Sequence, residues 1–313
     1  MTPPSSRRLF LKSATAFGVG LAATPFHNVA ALSFNQSAEP TKQALPFRIS
    51  LAQWSLHRAH FEGRMTALDF AASARGFDLD AIEYVNAFFK DRATDFDYLR
   101  ELKSRADDQG VQSLLIMIDG EGELAHADKA LRRQAIENHL KWIAAASFLG
   151  CHSIRVNAAG SGDADQMRHR VAESLDHLAA YGEPYGISVI VENHGGRSSN
   201  GAWLASVMAE AEHKGVGTLP DFGNFRIDSE RHYDPYLGVE ELMPYAKAVS
   251  AKSYDFDDTG EETAIDYQRM LRLVTNAGYD GYVGIEYEGS RLPEEEGIRA
   301  TKTLLEKVRA ELA

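Results

Sequence analysis

Ser188-Val-Ile-Val-Glu-Asn-His-Gly-Gly196 reads as a short β-strand that ends on a carboxylate and breaks into a glycine turn. Two later stretches repeat the pattern, Gly217-Thr-Leu-Pro-Asp-Phe-Gly-Asn224 and Gly284-Ile-Glu-Tyr-Glu-Gly289. In each, an apolar run delivers an acid to the strand end: Glu192, Asp221 or Glu286. The carboxyl ends of parallel strands are where α/β proteins bind ligands. Three carboxylates converging there repel one another unless a cation sits between them. The pattern predicts a divalent metal, or a lysine, at the centre of an active site.

Outward from residues 188–196, short apolar runs alternate with longer amphipathic segments. The candidate strands are 47–53, 81–85, 113–118, 153–156, 188–191, 217–219, 248–251 and 282–287. Helical periodicity marks 97–108, 131–149 and 266–277 between them. Gly110, Gly150, Gly186 and Gly278 each follow a helical pattern and precede a strand, the place of a C-cap glycine. Eight βα units at the spacing of one βα repeat imply an α/β fold, a single (β/α)8 TIM barrel filling residues 47–313. A doubly wound sheet would put a glycine-rich phosphate loop after the first strand. Here that strand runs into Gln53-Trp-Ser-Leu-His57.

The barrel is preceded by a segment of another kind. Ser5-Ser-Arg-Arg-Leu-Phe-Leu-Lys12 resembles a twin-arginine (Tat) export signal. Ala14 to Phe26 would be its apolar region and Val29-Ala-Ala31 its cleavage site, so residues 1–31 read as a signal peptide and 32–46 as a linker. A periplasmic protein, folded before export, is expected. The apolar stretch is too short and too rich in Gly, Ala and Thr for a stable membrane span, so no membrane anchor is expected. The formal charge of -12 argues against nucleic acid as a partner. Cys151 is the only cysteine, which excludes an intramolecular disulfide and a cysteine-based zinc site; a buried, inert thiol is expected.

Reading the strand ends in order gives Trp54, Glu83, Asp119, Arg155 with Asn157, Glu192 with His194, Asp221 with Asn224, Lys252, and Glu286 with Glu288. Alternation places Ser250 and Lys252 on one face, as it does Ile190 with Glu192 and Leu219 with Asp221. Val-Glu-Asn-His-Gly-Gly, Pro-Asp-Phe-Gly-Asn and Gly-Ile-Glu-Tyr-Glu-Gly resemble the xylose isomerase-like TIM barrels, in particular their sugar isomerase and epimerase branch. The resemblance covers Phe47 to the C-terminus. It implies that Glu192, Asp221 and Glu286 are three ligands of one divalent metal. The family's fourth ligand, a histidine, has Ser250 in its place, and Asn224 stands where a second family histidine is expected. All-oxygen ligation suits Mn²⁺ or Mg²⁺ better than Zn²⁺. Lys252 as the balancing positive charge is the alternative.

The resemblance implies proton abstraction next to a carbonyl of an unphosphorylated sugar. Glu192 and Glu286, on strands nearly opposite in the barrel, would be the acid/base pair. Lys252 and Arg155 would stabilise an enediolate or hold hydroxyls, and Trp54 would stack on a sugar ring or plug the barrel. Asn157, His194, Asn224 and Glu83 complete the expected substrate-binding set. Isomerase or epimerase is the leading reading. A lyase or hydratase on an oxidised sugar, and a non-catalytic sugar-binding barrel, stand beside it.

Overall fold

The structure is a computed structural model and describes residues 45–313. The signal and most of the linker expected from the sequence lie outside the described residues. Eight parallel strands form one sheet: β1 (Arg48–Ala52), β2 (Ala81–Val85), β3 (Gln112–Met117), β4 (Ser153–Val156), β5 (Ser188–Glu192), β6 (Val216–Leu219), β7 (Val249–Ser253) and β8 (Tyr282–Tyr287). Their order is β6-β5-β4-β3-β2-β1-β8-β7, the succession of a TIM barrel. The helices outside it are α1 (His57–Phe61), α2 (Phe70–Gly76), α3 (Phe96–Gln109), α4 (Lys129–Leu149), α5 (Ala164–Gly182), α6 (Gly201–Glu210), α7 (Pro235–Leu242), α8 (Tyr267–Asn276) and α9 (Glu294–Leu312).

The seam between β6 and β7 is irregular. Isolated bridges join Thr218 to Ala246 and Asp221 to Ser250. Pro220 sits between them. It has no N–H to give a ladder, and it accepts from Ser250 N at 2.9 Å. The interruption falls beside Asp221, at the carboxyl end of the lumen.

Short polar residues set the helix starts. Asp95, Asp128, Asp163, Asn200, Asp234 and Asp266 each accept backbone N–H bonds in the first turn of α3 to α8. Each such cap is worth about 1 kcal/mol. Gly110 and Gly150 close α3 and α4 in the left-handed region, at φ 63° and 82°. Gly186 and Gly278, also expected to be caps, share that conformation.

Two apolar clusters follow from strand alternation. The larger lies between sheet and helices and includes Ile82, Ile154, Val189 and Val191. The smaller fills the lumen with Ala52, Val85, Leu115, Met117, Ile190, Leu219 and Ala248; Trp54 and Phe88 pack on it. Cys151 is buried as expected, and burial pushes its thiol up. No helix among the described residues is long and apolar enough to cross a membrane.

Two points differ from the sequence reading in ways that matter. β7 runs to Ser253, so Lys252 lies inside the ladder opposite Glu286. β2 spans the expected 81–85, which leaves Glu83 in mid-strand and not at a strand end. Beyond β6, a small hairpin bridged at Arg226 and His232 precedes the start of α7 at Pro235.

Candidate active site

Alternation aims the site into the lumen. Ile190 and Leu219 belong to the lumen cluster, and Glu192 and Asp221 sit two residues further along the same faces. Glu192, Asp221 and Glu286 are all buried. One oxygen from each lies within 4.8 Å of the others. Three hard oxygens at that spacing match a shared divalent cation with bonds of about 2.0–2.6 Å.

Each carboxylate is held. Glu192 Oε1 accepts from Asn224 Nδ2 at 2.8 Å. Arg155 Nε lies 2.9 Å from Glu192 Oε2, but neither atom has a partner in hydrogen-bond geometry. The contact is therefore an ion pair that leaves an oxygen free to ligate. Asp221 Oδ1 accepts from the backbone N–H groups of Gly223 and Asn224, both at 2.8 Å. Glu286 Oε1 accepts from Lys252 Nζ at 2.8 Å. Lys252 Nζ also lies 3.2 Å from Glu288 and 3.7 Å from Asp221.

Ser250 joins the two sides. Its Oγ lies 2.8 Å from Asp221 Oδ2 and 2.7 Å from Glu286 Oε2. A hydroxyl has one proton, so it satisfies one of these carboxylates at a time. The other contact requires a proton on a carboxylate or a cation close by.

The charges make the same demand. Asp119, Glu192, Asp221, Glu286 and Glu288 face only Arg155 and Lys252. Burial, opposed by Arg155, pushes Glu192 up to about 7. Burial, opposed by Lys252, does the same to Asp221. Glu286 is buried too, yet the ammonium of Lys252 holds it below its ordinary value. Two carboxyls that resist ionisation beside one that does not is the state a divalent cation would relieve. The residues present therefore fit such an ion.

Trp54, Val85, Met117, Asp119, Arg155, His194, Glu286 and Glu288 line a cavity of about 80 Å³ at the mouth. Burial, with Arg155 nearby, lowers His194, which keeps its ring neutral at pH 7. Asn157 is one bond behind the cavity and donates to Asp119 Oδ1 at 2.7 Å. Arg155 Nη1 donates to the same oxygen at 2.8 Å. A roomier hollow of about 690 Å³ lies outside the barrel between α1, α2 and α9, and no candidate site residue lines it.

The structure thus gathers the three expected ligands with Lys252 and Arg155. Trp54 and His194 stand at the same cavity, and Asn157 and Asn224 brace it. Glu83 is not brought there. It takes a 2.6 Å hydrogen bond from Ser50 and lines a cavity of about 210 Å³ at the amino ends of the strands. Glu288, named with Glu286 at the end of β8, lines the cavity and pairs with Lys252. Asn193 was missed: its Nδ2 donates to Asp221 O at 2.9 Å and its Oδ1 accepts from Asp221 N at 2.8 Å, which locks the exits of β5 and β6 together. Its only sequence signal is its place inside Glu192-Asn-His194.

The xylose isomerase-like TIM barrel family model matches residues 68–308. The chain belongs to the xylose isomerase-like TIM barrel family. A family protein from Mycobacterium smegmatis, solved in complex with magnesium, superposes with a TM-score of 0.65 at 17% identity, over 85% of this chain and 98% of that one. The 3-keto-D-glucoside 4-epimerase of E. coli superposes with a TM-score of 0.62 at 16% identity, over 77% and 94%. A C-glycoside deglycosidase alpha subunit of Arthrobacter globiformis is 43% identical over 49 residues, 16% of this chain. The chain spans only 14% of that relative's length.

Proposed function

We propose that the protein is a sugar isomerase or epimerase that takes a proton from the carbon next to a carbonyl of an unphosphorylated sugar. The observation that carries this reading is the buried convergence of Glu192, Asp221 and Glu286 at the barrel mouth. The epimerase among the structural neighbours supports it. An unphosphorylated substrate fits because Arg155 and Lys252, the cations of the site, are already committed to carboxylates.

Glu192, Asp221 and Glu286 would hold one Mn²⁺ or Mg²⁺, which when bound supplies Lewis-acid polarisation of the substrate oxygens. Glu286, kept ionised by Lys252, is suited to accept the carbon-bound proton. Glu192, on a strand nearly opposite, would give a proton back. Return to the opposite face of the same carbon gives an epimer, and return to the neighbouring carbon gives the aldose–ketose isomer. Arg155, which lines the cavity, holds Glu192 behind it in an ion pair at 2.9 Å. Neutral His194 can bond a sugar hydroxyl, and Trp54 offers a flat apolar wall. The twin-arginine segment supports periplasmic work.

A second reading has its own support. The match to a deglycosidase subunit favours elimination from an oxidised sugar. The first proton transfer is the same. A β-substituent then leaves with the electron pair and takes a proton from Glu192.

Solvent deuterium exchange into a panel of keto-sugars tests the shared step. Label at the carbon beside the carbonyl is expected, lost in Glu192→Gln and Asp221→Asn together with about one bound divalent ion. A panel without label would leave a sugar-binding barrel. Release of the β-substituent with label selects the lyase.

A further inference from the structure

The mouth cavity, at about 80 Å³, is well below the roughly 300–1,000 Å³ of ordinary ligand pockets. A ligand of sugar size or larger must therefore extend over the rim. Most of that rim is polar: Asp119, Arg155, His194 and Glu288. The side formed by Trp54 differs. Trp54 stacks on His57, with centroids 5.2 Å apart at 17°, and on Phe88 at 5.9 Å and 27°. Phe61 meets Trp54 edge-on at 5.9 Å and Phe88 at 5.4 Å. Phe61 is 66% exposed, more than any other large apolar side chain among the described residues.

This aromatic shelf is held in place. Glu294, buried at the start of α9, accepts from the backbone N–H of Arg58 at 2.6 Å and of Ala59 at 3.1 Å. His57 Nδ1 lies 2.8 Å from Trp54 O, and His60 stacks on Phe88 at 4.1 Å. An exposed phenylalanine on a pinned helix, continuous with the wall of the catalytic cavity, is preorganised to receive a flat apolar group.

We infer that the substrate is a glycoside whose aromatic aglycone lies on the Phe61–Trp54 shelf while its sugar is directed to the cavity lined by Glu286. The inference rests on the sugar chemistry proposed above and names the substrate class for the same site. Among the relatives, the names 3-keto-D-glucoside 4-epimerase and C-glycoside deglycosidase both describe glycosides. An offset or edge-on aryl contact is worth roughly three- to tenfold in affinity.

Calorimetry of phenyl and methyl β-D-glucopyranoside tests it, with the full chain as wild type, Phe61→Ala and Phe61→Leu. The phenyl compound is expected to bind roughly three- to tenfold tighter to the wild type, with the ratio falling toward one in Phe61→Ala and part-way in Phe61→Leu. Phe61 is mostly exposed, and equal melting temperatures check that the variants fold. Equal affinities, binding of neither compound, or a preference that survives Phe61→Ala overturns the shelf. A second copy covering Phe61 would appear as a dimer that Phe61→Ala dissociates, without aryl preference, and would overturn it too. Deuterium exchange into the 3-keto forms of the same glycosides separates the two ideas. No label with the aryl preference intact removes the proton chemistry alone, and label without preference removes the shelf alone.

Discussion

Glu286 and Glu83 both project into the barrel lumen, from β8 and β2, and both are nearly inaccessible to solvent. Each accepts from a serine, Ser250 at 2.7 Å for Glu286 and Ser50 at 2.6 Å for Glu83. They differ in what else is near. Glu286, at the carboxyl end, has the ammonium of Lys252 at 2.8 Å. Glu83, toward the amino end, has no cation in contact among the described residues, and its Oε2 has no hydrogen-bond partner among them. Burial therefore pushes Glu83 up to about 8, while Lys252 holds Glu286 below its ordinary value despite equal burial. Burial favours the neutral form of a glutamate in one layer, and an ammonium favours the ionised form in another. The difference is one ammonium.

Four substitutions probe that contrast. The largest effect is expected on chemistry. Glu192→Gln should lower the deuterium exchange rate by about 10²–10⁴-fold. The same swap at Glu83 should leave label uptake near wild type; a matching loss there would show that the two ends of the lumen act as one site.

Next comes Lys252→Met, which leaves Glu286, Glu288 and Asp221 buried without their ammonium. Stability in urea with chelator should fall by about 3–5 kcal/mol. Excess Mn²⁺ should recover part of the loss, because a divalent cation among the carboxylates replaces the missing charge. No recovery would argue against ion binding there.

Glu83 supplies a pH signature of opposite sign to a salt-bridged acid. Its folded value of about 8 exceeds its ordinary 4.5, so the folded state keeps a proton that the unfolded chain releases. The stabilisation is full below pH 4.5 and is lost as pH rises through 8. Glu83→Gln should therefore be the more stable protein at pH 9, by up to about 5 kcal/mol, and should converge on wild type near pH 4. Urea titrations at the two pH values check this. A difference independent of pH would mean that Glu83 is ionised throughout.

The smallest effect belongs to the rim. Glu294→Gln weakens two bonds to the backbone of α1 and should cost about 1–2 kcal/mol. It should raise KM for an aryl glycoside more than it changes kcat, since it moves the shelf and not the carboxylates.

Much of this was legible before any coordinates. Period-two alternation carried Ile190 into the lumen cluster and Ser250 and Lys252 to a common site, and it needs only local backbone geometry. Helix stops were legible because Gly110 and Gly150 occupy a conformation that other residues resist. Strand ends were less so. Glu83, read among the strand ends, lies in mid-strand, since the apolar run and the strand with it continue to Val85. The pairing of Glu288 was not legible because its partner, Lys252, is 36 residues away in sequence. Asn193 gave no signal because its role is to bond the backbone of a neighbouring strand exit.

The sequence by itself determined the succession of βα units, and it marked which acids close their strands, since both depend on neighbours a few residues apart. Only the tertiary structure decided which acids gather within 4.8 Å of one another and which stands apart. Burial and Coulomb interaction depend on distances through space, and those exist once eight strands have curved round to face one another. The closing seam at Pro220, with Asp221 and Ser250 drawn across it, is where that decision is made.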